Sequence, residues 1–119
     1  VLDKSWVYMQ RAHLHAGGLG NTALSLTLLL ILMGCSPTVV RAGSLASGAG
    51  GLGYSVYWLW AGCRAPALGS TSAAKESLKW LAMPSSGAIV IATIVVCVLL
   101  VAALARRPFS QPSNLQSPR

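Results

Sequence analysis

The sequence predicts an all-α integral membrane protein with three transmembrane helices and a short interfacial helix ahead of the third. Three observations carry that expectation. Of the 119 residues, 54% are hydrophobic and 9% are charged, whereas a soluble domain holds about 25% charged residues. The apolar residues gather into segments close to the roughly 20 residues that a helix needs to cross a hydrocarbon core. Cations and turn-forming residues, rather than acids, bound those segments.

The first span is read over 16–34, with Leu24, Leu26, Leu28, Leu29, Leu30, Ile31 and Leu32 as its apolar body. Pro37 and Arg41 are expected to end it. The second span is read over 44–62, glycine-rich in its first half and aromatic in its second at Tyr54, Tyr57, Trp58 and Trp60. The third, over 86–105, is dominated by branched aliphatic residues and stops at Arg106 and Arg107. Between the second and third spans, 63–70 reads as a loop through Pro66 and Gly69. Ser72 is then expected to cap a short helix through Met83, interrupted by Pro84. In that helix Ala74, Leu78 and Leu81 share an apolar face while Lys75, Glu76 and Lys79 occupy a polar arc, the pattern of a helix lying in the membrane interface. Residues 1–15 read as an N-terminal interfacial segment, 16–107 as the membrane domain, and 108–119 as a flexible tail rich in Pro, Ser, Gln and Asn.

Nine Lys and Arg against two acids give a net charge of +7, too sparse for a stripe that tracks phosphates, so nucleic acid is not an expected partner. With three spans, Lys4, Arg11, Arg64, Lys75 and Lys79 fall on one side of the membrane, side A, and Arg41, Arg106, Arg107 and Arg119 on the other, side B. That near balance sets no orientation. Asp3 and Glu76 are the only carboxylates. A carboxylate pair, a multi-acid metal cage and an intramembrane proton relay are therefore excluded. No Ser or Cys has a base and an orienting acid nearby in the pattern of a nucleophilic site, so no catalytic residue is assigned. Arg64 and the Lys75, Glu76, Lys79 cluster suit an anionic lipid headgroup or an ion pair with a partner.

Gly43, Ser47, Gly51 and Ser55 recur every four residues and align on one helix face, where a second backbone can approach closely. The first span carries a weaker version in Gly17, Asn21 and Ser25. Both alternatives stay open at this point: the two helices pack on each other, or each packs on another subunit. The third span, nearly free of small residues, suits a lipid-facing position. Trp6, Tyr8, Tyr54, Tyr57, Trp58, Trp60 and Trp80 all fall on side A, with only Phe109 on side B. This asymmetry fits an aromatic belt at the headgroup level, an interface with an extramembrane domain, or the rim of a pocket for an aromatic molecule. Cys35 and Cys63 fall on opposite sides and Cys97 lies inside the third span, so no disulfide is expected. The sequence Leu32-Met33-Gly34-Cys35 resembles a bacterial lipoprotein cleavage box; it is read here as the end of a membrane helix.

His13 and His15 are the only histidines. Two residues apart on a helix is about 200° of rotation, so their rings would serve two different sites and could not share one metal ion. On an extended segment they would share a face and could hold a metal with a third ligand from elsewhere. On the helix, Ala16, Gly17, Gly18 and Gly20 leave room for a flat macrocycle beside the backbone.

This pattern resembles the H-x-H helix of heme-copper oxidases and nitric oxide reductases, in which two histidines two apart bind two hemes on opposite helix faces. The similarity covers about Arg11 to Gly20. The same segment resembles small bacterial membrane proteins that carry R-x-G-H-x-H-A-G before an apolar span, with Ala12 here in place of the Gly before the first His. The other heme-ligand helices and the copper-site histidines of an oxidase are absent from the sequence. The resemblance implies a bacterial cytoplasmic membrane, heme as the cofactor to consider, and His13 and His15 as the cofactor-binding residues. The expected function is a non-catalytic accessory subunit of an energy-transducing membrane complex, with other membrane subunits and lipids as partners. The alternative is a heme-binding electron-transfer component with His13 and His15 as axial ligands.

Overall fold

In the computed structural model, residues 1–106 are described; the expected tail over 108–119, with Arg107, Phe109 and Arg119, lies outside the described residues. Four helices follow in order: α1 (Leu2–Leu32), α2 (Pro37–Leu68), α3 (Thr71–Ser77) and α4 (Lys79–Ala105). At 1.5 Å per residue the three long helices measure about 46, 48 and 40 Å, against a hydrocarbon core of about 30 Å. Helices α1 and α4 are long and apolar enough to cross a membrane. Helix α2 is just as long but lacks a single span as apolar as those of α1 and α4, and it lies between them: it packs against α1 on one face and α4 on another, while α1 and α4 touch little. A helix held between two others needs small residues rather than large aliphatic ones.

The helix ends differ from the sequence reading in four places. Pro37 starts α2 instead of ending α1, since a missing N–H costs nothing in the first helical turn. The turn itself is made by Gly34, at φ 70°, and by Ser36, whose hydroxyl accepts from the Val39 N–H at 3.4 Å. The expected loop over 63–70 is helical as far as Leu68, and Gly69, at φ 63°, ends it. The cap of α3 is Ser70, two residues before Ser72, and it accepts from the Ala73 N–H at 3.3 Å. The break before the last helix falls at Leu78 and not at Pro84. Pro84 lies in the second turn of α4, where its missing N–H frees a single carbonyl, that of the exposed Trp80, which water or headgroups can satisfy.

Pro66 shows how a proline inside a helix is accommodated. In a regular helix its N–H would bond the Gly62 carbonyl four residues earlier; the proline cannot supply it. Ser5 of α1 donates its hydroxyl to that same carbonyl, and both residues are buried. The interhelical bond therefore replaces the intrahelical one.

The two faces of α2 are both built on missing side chains. Toward α1, a Cβ on Gly43 would stand 2.5 Å from Leu30 Cδ1, one on Gly51 3.1 Å from Leu19 Cβ, and one on Gly62 3.1 Å from Met9 Cγ. Ser47, 0% exposed, and Ser55 lie between them. Their hydroxyls donate to the Gly43 and Gly51 carbonyls at 2.7 and 2.8 Å, so neither is left unpaired. Toward α4, a Cβ on Gly50 would stand 2.8 Å from the Ser85 carbonyl oxygen and 3.0 Å from the Ile89 nitrogen, and one on Gly53 would strike the Ser85 hydroxyl. Here backbone meets backbone. At the side B end, Leu26, Leu30 and Val96 close the core, with Leu30 1% exposed.

The antiparallel register of α1 and α2 follows from the Leu19–Gly51 and Leu30–Gly43 contacts. The part of α2 level with 16–34 runs over about 37–54, about two turns earlier than the expected 44–62. Gly17, Asn21 and Ser25 do not meet α2: all three are exposed, and nothing lies within 4 Å of a Cβ built on Gly17. The α1 face that does meet α2 carries Ser5, Ala12, Leu19, Leu26 and Leu30.

Candidate functional site: an aromatic cluster and a neighbouring groove

The side A end of the bundle gathers rings from two helices. Tyr8 and His15 come from α1, two turns apart on one face; Tyr54, Tyr57 and Trp58 come from α2. Trp58 sits at the centre, edge-to-face with Tyr8 at 5.2 Å and with Tyr57 at 5.3 Å, and stacked on His15 at 5.9 Å. Tyr54 meets His15 edge-to-face at 5.2 Å. Such pairs each add about 0.5–1.5 kcal/mol beyond area burial. Leu78, at the break between α3 and α4, and Ala61 complete the buried part of the cluster.

Cations cover the cluster. The Arg11 guanidinium lies 5.2 Å from the Trp58 ring and 5.8 Å from the Tyr8 ring, and the Lys75 ammonium lies 5.8 Å from the Tyr8 ring. Ring faces are negative and attract both charges. Arg64 donates to the Ser77 hydroxyl at 3.2 Å and Lys79 pairs with Glu76 at 2.8 Å, so α2, α3 and α4 are tied at the surface. Trp58 Nε1 is buried without a hydrogen-bond partner among the described residues.

His15 and His13 lie on a helix and point apart, as the spacing requires. His15 is half-buried in the cluster, and its Nδ1–H donates to the Arg11 carbonyl at 2.6 Å. A carbonyl can only accept, so Nδ1 carries a proton. His13 is exposed and opens onto a groove of about 320 Å³ between α1 and α2, shared with Met9, Ala12, Ala16, Leu52 and Leu59. The groove continues toward side B over Ala16, Gly20, Gly48 and Gly51. On the outer side of α1, Trp6, Met9 and His13 line a second depression of about 490 Å³. The two histidines therefore belong to different environments, one an aromatic interior and the other an open, small-residue surface.

Gly43, Ser47, Gly51 and Ser55 all lie between α1 and α2, not on an outer face. A third cleft of about 320 Å³ lies at the side B end, walled by Leu30, Val39, Gly43, Ala88, Ala92 and Val96 and wholly apolar in its named lining. Cys35, Cys63 and Cys97 are free thiols. Among the described residues, no group of three or more His, Cys, Asp or Glu is placed so that it could hold a metal ion. Sequence reasoning did not find the Ser5–Gly62 bond or the Arg11–Trp58 and Lys75–Tyr8 contacts, because each joins residues far apart in the chain. The nearest available signal was the coincidence of Pro66 with a carbonyl that needed a new donor.

Besides Ala12 for Gly, Gln10 stands where the R-x-G-H-x-H-A-G pattern has Arg. No protein-family model matches the chain, and neither curated proteins nor solved structures give a match.

Proposed function

We propose that this chain is a three-span, non-catalytic accessory subunit of a larger membrane complex, placed in the bilayer by α1, α2 and α4 and held there against helices of other subunits. The observation that carries this reading is the outer face of α1. Gly17, Asn21 and Ser25 recur every four residues in the apolar part of that helix, all exposed, while the chain's own α2 packs elsewhere. An amide facing lipid leaves its donors and acceptors without partners, and across a helix interface it can bond a neighbouring helix. Small residues on either side let that neighbour approach. The chain's own helices pack on other faces of α1, so this stripe is open to a partner.

The complex we have in mind is a redox, energy-transducing one in a bacterial cytoplasmic membrane. That part of the proposal rests on the local similarity of Arg11 to Gly20 to heme-binding H-x-H helices. The test is extraction of the tagged chain in a mild detergent, followed by identification of the copurifying polypeptides and a reduced-minus-oxidised spectrum. The expected outcome is a fixed set of larger membrane subunits carrying a redox cofactor. Recovery of the chain alone, under conditions that keep other membrane complexes intact, contradicts the proposal.

A further inference from the structure

We infer that Arg11 and Lys75 form a binding site for the phosphate of an anionic lipid headgroup, on the aromatic cluster at the side A end. The inference rests on the membrane placement proposed above and not on the partner subunits. The two cations come from different helices, α1 and α3, and reach one ring: the Arg11 guanidinium and the Lys75 ammonium each lie 5.8 Å from the centre of Tyr8. Arg11 also lies 5.2 Å from the Trp58 ring. Tyr8 is buried and held edge-to-face by Trp58 at 5.2 Å. The ring on which the charges converge is therefore a fixed platform.

Neither charge is neutralised. The ring faces attract the cations but carry no net charge. Both side-chain carboxylates of the chain are engaged or placed elsewhere: Glu76 pairs with Lys79 at 2.8 Å, and Asp3 lies about 12 Å along α1 from Arg11. Among the described residues, neither Arg11 nor Lys75 is in an ion pair. Of the cations that the sequence groups in this region, Lys79 is taken by Glu76 and Arg64 is held by the Ser77 hydroxyl. Lys75 is the one that joins Arg11.

An uncompensated pair of cations calls for an anion, and its depth selects which one. Tyr and Trp rings gather at the headgroup level of a membrane, where phosphate is the anion that the bilayer itself supplies. The guanidinium presents a planar fork of donors that matches two phosphate oxygens, and the ammonium adds a compact point charge. Arg11 is exposed and Lys75 half-buried, so both stay accessible to a headgroup while resting on the rings. Stacking also holds them over the cluster before a lipid arrives, which reduces the side-chain entropy lost on binding.

The test is titration of the full chain in detergent with phosphatidylglycerol or phosphatidylcholine, with bound lipid counted by native mass spectrometry. Wild type should bind a first phosphatidylglycerol about 25-fold more tightly than phosphatidylcholine at low salt, from about fivefold per cation. Arg11→Gln and Lys75→Gln should each remove about fivefold of that preference, and the double variant all of it. Arg11→Lys, which keeps the charge, should retain most of it, and so separates loss of charge from loss of fold. Arg41→Gln and Arg106→Gln, at side B, should bind as wild type. No preference in wild type, a preference that survives in the double variant, a loss in Arg41→Gln as large as in Arg11→Gln, or displacement of the lipid by inorganic phosphate overturns the inference, the last assigning the site to free phosphate. The preference is read on the isolated chain, so its failure leaves the partner complex standing, whereas a chain that stays soluble without detergent overturns the membrane placement and the lipid site together.

Discussion

The two ends of the bundle hold together by different means. Toward side B, α1, α2 and α4 meet through glycine, serine and aliphatic residues, and at Gly50 the approach is limited by the Ser85 and Ile89 backbone. Toward side A, the helices meet through rings, two cations and the Ser5–Gly62 bond. Inside a bilayer, lipid tails are as apolar as leucine, so helices gain by close dispersion contact and missing side chains are what permit it. At the headgroup level water and charge return, and rings with polar edges and covering cations become the better material. The difference predicts that one end fails when something is added and the other when something is removed.

The largest expected effect is at the aromatic end. Trp58→Ala removes the ring that contacts Tyr8, Tyr54, Tyr57, His15 and Arg11 and should cost about 3 kcal/mol or more in detergent unfolding followed by circular dichroism. Trp58→Phe keeps a ring and removes an N–H that has no conventional partner among the described residues, so its loss should be much smaller. An equal loss in both variants would show that the indole N–H, and not ring packing, holds this end. At the other end, Gly50→Leu should cost about 3 kcal/mol, because backbone atoms on α4 cannot rotate out of the way. Gly48→Leu, on the same helix with nothing within 4 Å of its Cβ, serves as the matched control.

A smaller effect separates a simple contact from a substitution of one bond for another. Ser5→Ala leaves the buried Gly62 carbonyl without a donor and should cost about 1–3 kcal/mol. Pro66→Ala restores the helical N–H to that carbonyl. In the Pro66→Ala background, Ser5→Ala should therefore cost markedly less. A double-mutant cycle reads the coupling directly; additive losses would mean that Pro66 and Ser5 act independently.

Much of this division is legible in the sequence. The stripe Gly43, Ser47, Gly51, Ser55 has a spacing that only a helix aligns, and the residues on it lie against α1. Gly50 and Gly53 form a second face that the four-residue rule passes over, because they are three apart and interleaved with the first. Helix ends were less legible. Pro37, Pro66 and Pro84 each read as breakers, yet one occupies a first turn, one has its lost bond replaced from another helix, and one frees only an exposed carbonyl. Whether a proline breaks a helix depends on what stands near the carbonyl four residues before it, which sequence order does not state. For the histidines, helical rotation already separates His13 from His15; that one ring enters an aromatic cluster and the other a groove depends on which helices stand beside α1.

The smallest expected effect on the isolated chain is also the most direct test of its role. Replacing Gly17 and Asn21 by Leu touches no internal contact of the bundle, so unfolding of the purified chain should change by less than about 0.5 kcal/mol. In membranes solubilised with a mild detergent, native gels of wild type should place the chain in a large complex, and the Gly17→Leu/Asn21→Leu variant should migrate apart from it. Migration of the variant with that complex as in wild type, or of wild type as a free monomer, would contradict the claim that this face of α1 holds the chain to a partner.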